Sequence, residues 1–455
     1  MPARRWALVA LLILAGAAIR GAALPLPGSP DVDSWKIWTF VGATDATGFY
    51  GVGGHPPERR VLRWRGGAGT TEYPPLALYE LAGVGRIYRA IDPLYNDTST
   101  LTALVKMPAF AAELFFVVVM LTWGRRIMGA QAAVWVALAV WLNPAMILNG
   151  AVLGYLDPQM AIPAALSLLA ASAGAPIAAG AFVALATLTK PQALFVVPFV
   201  MLAALHRERI ANWRAFAGTM AGGLAATAAI LLPIVARGAW PNMVQAMSRL
   251  AAHDMLSGQA TNAWWLVTWV VRARAGLQQG WWAAFTMPVK ILGITRFMEI
   301  GYPNPKIIGT SIVVLAWLYA MWRLRRGRTP AAFALGAAWS VFAYFMFGAQ
   351  VHENHLLLAV PVSAVAAGLD PRLRSSFFVL TAICAANMYV FYGLGAGYPP
   401  PFSRSITIVD LTVVLSIMNA ILFAWMTVEF FWYTTPKPQG STPTELKAWL
   451  KEHGA

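Results

Sequence analysis

Charge is scarce in this chain. Only 12% of its 455 residues are Asp, Glu, Lys or Arg, against roughly a quarter in a typical soluble domain. Acids are scarcer still, with 19 Asp and Glu against 34 Lys and Arg, for a net charge of +15. The single cysteine, Cys384, excludes an internal disulfide. No Ser–His–Asp ordering is present, so the sequence offers no recognisable acyl or phosphoryl nucleophile. No internal repeat is evident, which argues against a secondary transporter built from paired halves.

Hydrophobic residues make up 58% of the chain, and mean hydropathy is +0.59. Apolar runs near twenty residues recur from end to end, each long enough for a bilayer core of about 30 Å. Twelve spans are expected, over residues 6–26, 101–123, 132–148, 158–173, 177–189, 193–205, 215–236, 307–322, 331–347, 356–368, 375–394 and 406–431. The class is an all-α, polytopic transmembrane helical bundle with long helical outer-face loops. One membrane domain, 1–433, precedes a short cytoplasmic tail, 434–455. Arg20 interrupts the first run and no small-residue cleavage site follows, so that run is read as a retained span.

Basic residues orient the bundle. With Arg4 and Arg5 in the cytoplasm, alternation puts Arg125, Arg126, Arg214, Arg323, Arg325, Arg372 and Arg374 there too, together with the lysines of the tail. The outer face then carries two long loops, 27–100 and 237–306. Their arginines serve either anionic lipid headgroups or an anionic ligand, and nothing calls for nucleic acid. Trp35 to Val41 and Pro74 to Ala90 read as helices of the first loop, the former lying in the membrane interface. The segment from His55 to Arg60 reads as irregular. Six tryptophans of the second loop (Trp240, Trp264, Trp265, Trp269, Trp281 and Trp282) form an interfacial belt or a surface that receives lipid and sugar.

Five polar islands fall near the outer ends of the spans: Asp31-x-Asp33, Glu72-Tyr-Pro-Pro75, Asn143-Pro with Asn149 to Asp157, Lys190-Pro-Gln192, and Gln350-Val-His-Glu-Asn-His355. A charge in a membrane costs roughly 2.5–3.5 kcal/mol on insertion scales, so it persists where function needs it. Chance would scatter the islands over both faces, whereas all five share one.

In order, the islands resemble the GT-C superfamily of membrane glycosyltransferases that take sugars from polyprenyl phosphates. The nearest likenesses are the dolichyl-phosphate-glucose glucosyltransferases of N-glycan assembly and the mannosyltransferase-like proteins of prokaryotes and of GPI assembly. Those families place an acidic residue seven positions before a Trp, as Asp31 precedes Trp38. Their Tyr-Pro-Pro-Leu is matched by Tyr73 to Leu76, and their span with a Lys and a carboxylate is similar to Lys106 with Glu113. The prokaryotic Asn-Pro…Asn-Ser-x-x-Trp-Gly-Gln-x-Asp element is matched at Asn143-Pro144, Asn149, Gly154 and Asp157, with its Ser, Trp and Gln replaced. Lys-Pro-Gln, Asn-Ala-Trp and Val-His-Glu elements resemble Lys190 to Gln192, Asn262 to Trp264, and Val351 to Glu353.

The resemblance implies an inverting transfer of glucose or mannose from a polyprenyl phosphate to a lipid-linked or other glycan acceptor at the outer face. Phosphate already leaves well, so the reaction needs a base for the acceptor hydroxyl and cations for the departing phosphate. Asp31 suits the base. Asp33 holds the acceptor or shares the role, since an i, i+2 pair does not share one helical face; alternatively, both cap their helix. His352, Lys190 and Gln192 are the expected phosphate ligands. Lys190 alternatively pairs with a carboxylate such as Asp157 or Glu113. Glu353 would orient His352, and His355 would join it. Glu72, Tyr73, Asp157, Asn262 and Trp264 complete the expected substrate contacts. No cofactor is required. A divalent cation on Asp31 and Asp33 is the weaker alternative, because the donor has no diphosphate to bridge. The rival function is a flippase for lipid-linked sugars.

Overall fold

Lipid offers no partner to a backbone N–H or C=O, so the apolar runs fold as helices. The computed structural model describes residues 3–51, 61–206, 211–301, 303–325, 329–406 and 409–435. Among these, eight helices are long and apolar enough to cross a membrane: Arg4–Ala23, Ser99–Met128, Ala130–Leu153, Trp213–Ala236, Pro305–Leu324, Pro330–Phe347, Pro371–Tyr392 and Leu411–Thr434. Pro176–Thr189, Pro191–Leu205 and His355–Leu369 are shorter and apolar, and Asp157–Ala173 is buried along most of its length. The protein is an integral membrane protein of almost entirely helical structure.

Local chemistry sets the helix starts. The side chains of Thr98, Asn262, Asn304, Thr329 and Asp410 each accept a backbone N–H of the first turn that follows, satisfying donors that a helix cannot satisfy itself. Residues Ile147–Leu153 take a wider π turn, an insertion often found at functional sites. Lys106 runs beside it and donates to the carbonyls of Val152 (2.7 Å), Ala151 (3.1 Å) and Leu26 (2.7 Å).

After the first helix, α1 (Ala3–Ala23), the long loop 27–100 forms two packed helices, α2 (Asp31–Thr44) and α3 (Pro75–Ile91), on either side of a hairpin of β1 (Leu62–Trp64) and β2 (Gly67–Gly69). The two helices cross closely because Gly85 has no Cβ; one added there would lie 2.0 Å from the Thr39 carbonyl oxygen. Trp35 and Trp38, expected in the lipid interface, are each 3% exposed within a core of the long loops' own. Each indole meets the Tyr73 ring edge-on, at 5.2 and 5.4 Å. The reason is that α2 is covered by α3 and by the helix Ser99–Val119, which leaves its aromatic face no route to lipid. The second long loop, 237–306, is helical over Trp240–Ser248, Ala263–Leu277 and Trp281–Ile291. Trp281 and Trp282 are exposed there, whereas Trp265 is buried. The segments with His55, Arg59 and Arg60, and the tail from 436, lie outside the described residues.

Candidate active site

Asp31 opens the first turn of α2. Its helix is preceded by Pro30 with no side-chain cap, so neither Asp31 nor Asp33 serves as the N-cap. Asp31 faces a cavity of about 860 Å³, which Trp35 and Trp38 from the same helix also line. Glu72 and Tyr73 reach the cavity from the turn before α3. Lys190 and Gln192 reach it from the break between Pro176–Thr189 and the 3-10 turn Pro191–Phe195. The break follows from the sequence, because Pro191 forces Lys190 into an extended conformation (φ −149°, ψ 134°). His352, Glu353 and His355 close the far wall.

The far wall is held by the second long loop. Strand β3 (Ser257–Gly258) pairs in parallel with β4 (Val351–His352). Gly258 packs flat on the imidazole of His352, where a Cβ would come within 2.6 Å of Nδ1. Gln259 and Gln350, both lining the cavity, adopt left-handed backbone (φ 66° each), a conformation that costs energy in a residue with a side chain.

The cavity tunes its titratable groups. Asp31 is open to the cavity yet hemmed by protein, and this desolvation raises its pKa; Lys190 lowers it and Asp157 raises it further. Burial, with Lys190 and His253 nearby, pushes His352 down to about 4, so it is a neutral donor at pH 7. Burial pushes Glu353 up to about 7, with Asp31 and Asp157 adding to the rise. Glu353 does not touch His352 as expected; it accepts the Tyr155 hydroxyl at 2.7 Å.

The remaining predicted residues take other places. Asp157 is fully buried behind the cavity wall, accepting from Lys190 Nζ (2.7 Å), Asn354 Nδ2 (2.8 Å) and Asn149 Nδ2 (3.3 Å). Glu113, the other carboxylate considered for Lys190, pairs with Arg20 instead. Asn262 belongs to the scaffold, capping its helix and donating to the Phe345 carbonyl at 2.9 Å. Trp264 donates to the Phe347 carbonyl at 2.6 Å. Asp33 is exposed on α2 and does not line the cavity.

Sequence reasoning missed His253, Gln259 and Tyr392, which also line the cavity. His253 Nε2 lies 3.4 Å from Glu72 Oε2, joining the two long loops, and the Tyr392 hydroxyl donates to Gln259 at 2.7 Å. The chain has only six histidines, so His253 in a predicted outer loop was a usable signal. For Gln259 and Tyr392 there was none.

Residues 69–427 match the ALG6, ALG8 glycosyltransferase family. The chain belongs to that family. It is therefore a membrane glycosyltransferase, and the match takes in every cavity segment except that of Asp31. No curated protein matches it significantly. Among solved structures it is similar to the Archaeoglobus fulgidus oligosaccharyltransferase tethered by a disulfide bond to an acceptor peptide containing the NVT sequon. The identity is 14% and the TM-score 0.41, over 98% of this chain and 57% of that one. The apo form of the same oligosaccharyltransferase is similar at 13% identity and a TM-score of 0.40, over 98% and 58%. The glycosyltransferase spans a little over half the length of those chains.

Proposed function

We propose that this glycosyltransferase moves a hexose, glucose or mannose, from a polyprenyl monophosphate to a lipid-linked or other glycan acceptor on the outer face of the membrane, with both termini in the cytoplasm. The observation that carries this reading is the meeting, in one cavity, of a carboxylate with raised pKa, Asp31, and two side chains whose chemistry suits a phosphate, Lys190 and His352.

In this mechanism Asp31 takes the proton of the acceptor hydroxyl as that oxygen attacks the anomeric carbon. The bond from that carbon to the phosphate oxygen breaks, and its electron pair leaves with the polyprenyl phosphate. One displacement inverts the anomeric centre. A base with a raised pKa is suited to the task, because proton transfer is most effective when the base's pKa lies closer to the working pH. Lys190, steadied by Asp157, and His352 stabilise the charge that grows on the departing phosphate. His352 enters neutral, and the phosphate dianion favours its protonation, so the ligand itself strengthens the contact. Tyr73, Trp35 and Trp38 offer ring faces and edges to a sugar. The acceptor lies on the side of Glu72. No metal is needed, since the leaving group is a single phosphate.

The test is to supply purified protein with short-chain polyprenyl-phosphate glucose and mannose and a panel of lipid-linked glycan acceptors. Transfer with inverted anomeric configuration is expected from one donor. Retention of configuration, or sugar accepted only from a nucleotide, would overturn the proposal.

A further inference from the structure

A glutamine amide offers a donor or an acceptor, depending on which end it turns to its neighbour. For Gln192 the neighbour decides. The amide atom placed as nitrogen lies 3.0 Å from His355 Nε2, and which end of an amide is nitrogen is assigned from its hydrogen-bonding neighbours. The other ring nitrogen, Nδ1, faces the His352 backbone N–H at 3.4 Å and the Tyr344 hydroxyl at 3.0 Å. A backbone N–H can only donate, so Nδ1 holds a lone pair and the Tyr344 hydroxyl also donates to it. The single ring proton is then on Nε2. Nε2–H needs an acceptor, and Gln192 must give it the carbonyl oxygen. The opposite end of the amide, then its NH2, sits at a buried position where an oxygen finds no donor.

We propose that Tyr344 and His355 are positioning residues which fix Gln192 as a hydrogen-bond donor, and that this donor meets the phosphoryl oxygens of the polyprenyl-phosphate ligand. The inference rests on the reading of the cavity as a polyprenyl-phosphate sugar site. Three observations support it. The relay is rigid, because the Tyr344 ring stacks on His355 (5.9 Å, 17°) and on Phe195 (4.5 Å, 25°), and Phe195 ends the same turn that begins at Pro191. Gln192 stands two residues from Lys190, and the His352 ring lies 5.5 Å from that of His355. Finally, a fixed donor discriminates only against ligands that cannot accept. Phosphoryl oxygens only accept, whereas a sugar hydroxyl would pair with either end of the amide.

The experiment measures binding of a short-chain polyprenyl monophosphate to the purified full-length protein at about pH 5.5 and about pH 8.5, each variant against the parent at the same pH. Gln192→Glu keeps the shape and still accepts from His355, but at the higher pH it turns an anionic oxygen on the phosphate. Binding there should weaken about tenfold or more. At the lower pH the protonated carboxyl donates again, and the loss should shrink. The other titratable groups at the site, Asp31, Glu72, Lys190, His253, His352 and Glu353 with Asp157 behind them, and the phosphate of the ligand are common to both proteins, so each loss is read as a ratio to the parent at that pH. Gln192→Ala should lose affinity equally at both values. His355→Gln still donates to Gln192 and should stay within about twofold of the parent, while His355→Leu should weaken binding severalfold. Gln192→Glu binding like the parent at both pH values, or losing as much at the lower as at the higher, would overturn the relay alone. A parent that binds no polyprenyl monophosphate would overturn the donor reading, and the relay with it.

Discussion

Among the described residues two ion pairs are buried on both sides, and one of them faces the candidate active-site cavity. Arg20 on the first span meets Glu113 on the helix Ser99–Val119, with neither side chain more than 1% exposed. The guanidinium lies 4.1 Å from the centre of the Trp141 ring and also donates to the Gly16 carbonyl at 3.2 Å. Lys190 and Asp157 are similarly buried, at 5% and 0%, but Lys190 forms part of the cavity wall. Its ammonium lies 5.5 Å from the Tyr73 ring, which also lines the cavity. The first pair ties two helices together inside the bundle. The second holds a cation where a ligand can reach it. Burial and pairing are thus common to scaffold and site, and access separates them.

The largest effect should come from the cavity. Asp31→Asn should slow transfer by roughly a hundred- to ten-thousand-fold while leaving the thermal unfolding midpoint in detergent unchanged; a rate equal to the parent's would remove Asp31 as the base. Arg20→Met should do the reverse. Leaving Glu113 buried alone costs about 3–5 kcal/mol of stability, read as a lowered midpoint, while kcat per folded molecule holds. Adding Glu113→Leu should recover most of that loss. Lys190→Met should bridge the two classes, lowering the midpoint and raising the donor KM about tenfold. If Arg20→Met also raised that KM, the contrast between the pairs would fail.

Acidity sharpens the same contrast. The base must be ionised, and desolvation raises the pKa of Asp31, so kcat/KM should climb with pH through a midpoint above the usual carboxylate range. Asp31→Asn should abolish that limb. Stability should follow His352 separately. Its folded value near 4 lies below about 6.5 in the unfolded chain, so between the two the unfolded state binds the extra proton. The contribution of His352 to stability therefore falls as pH drops through that window, against an opposite contribution from Glu353, whose pKa is raised to about 7, so His352→Gln should shift the slope toward greater stability at the acid end. The smallest effect belongs to metal. Chelation with EDTA should leave the transfer rate unchanged; a loss that magnesium or manganese restores would move Asp31 and Asp33 from base to metal ligands.

Much of this protein was legible in its sequence. Hydropathy marks the helices because lipid leaves the backbone no other way to satisfy itself, and the gap between the expected spans 177–189 and 193–205 falls where the helix breaks at Lys190. Polar islands at the outer ends of the spans picked out Asp31, Glu72, Lys190, Gln192 and His352, all of which line the cavity. The family resemblance also selected Asn262 and Trp264, because a helix cap and a ligand contact use the same chemistry. The interfacial preference of aromatic rings placed Trp35 and Trp38 against lipid because a sequence does not show which face another helix will cover.

Composition and periodicity alone therefore determine a helical membrane protein with islands of polar residues near the ends of its apolar runs. Tertiary structure alone decides who meets whom. Asp157 goes to Lys190 and Glu113 to Arg20, Gly258 lies flat against His352, and His253 reaches across to Glu72. The physical reason is range. Helix formation is settled within a few residues by backbone hydrogen bonds and solvent, whereas the partner of a buried charge comes from a distant segment, 33 residues away for Lys190 and 93 for Arg20, and is chosen only when the bundle packs.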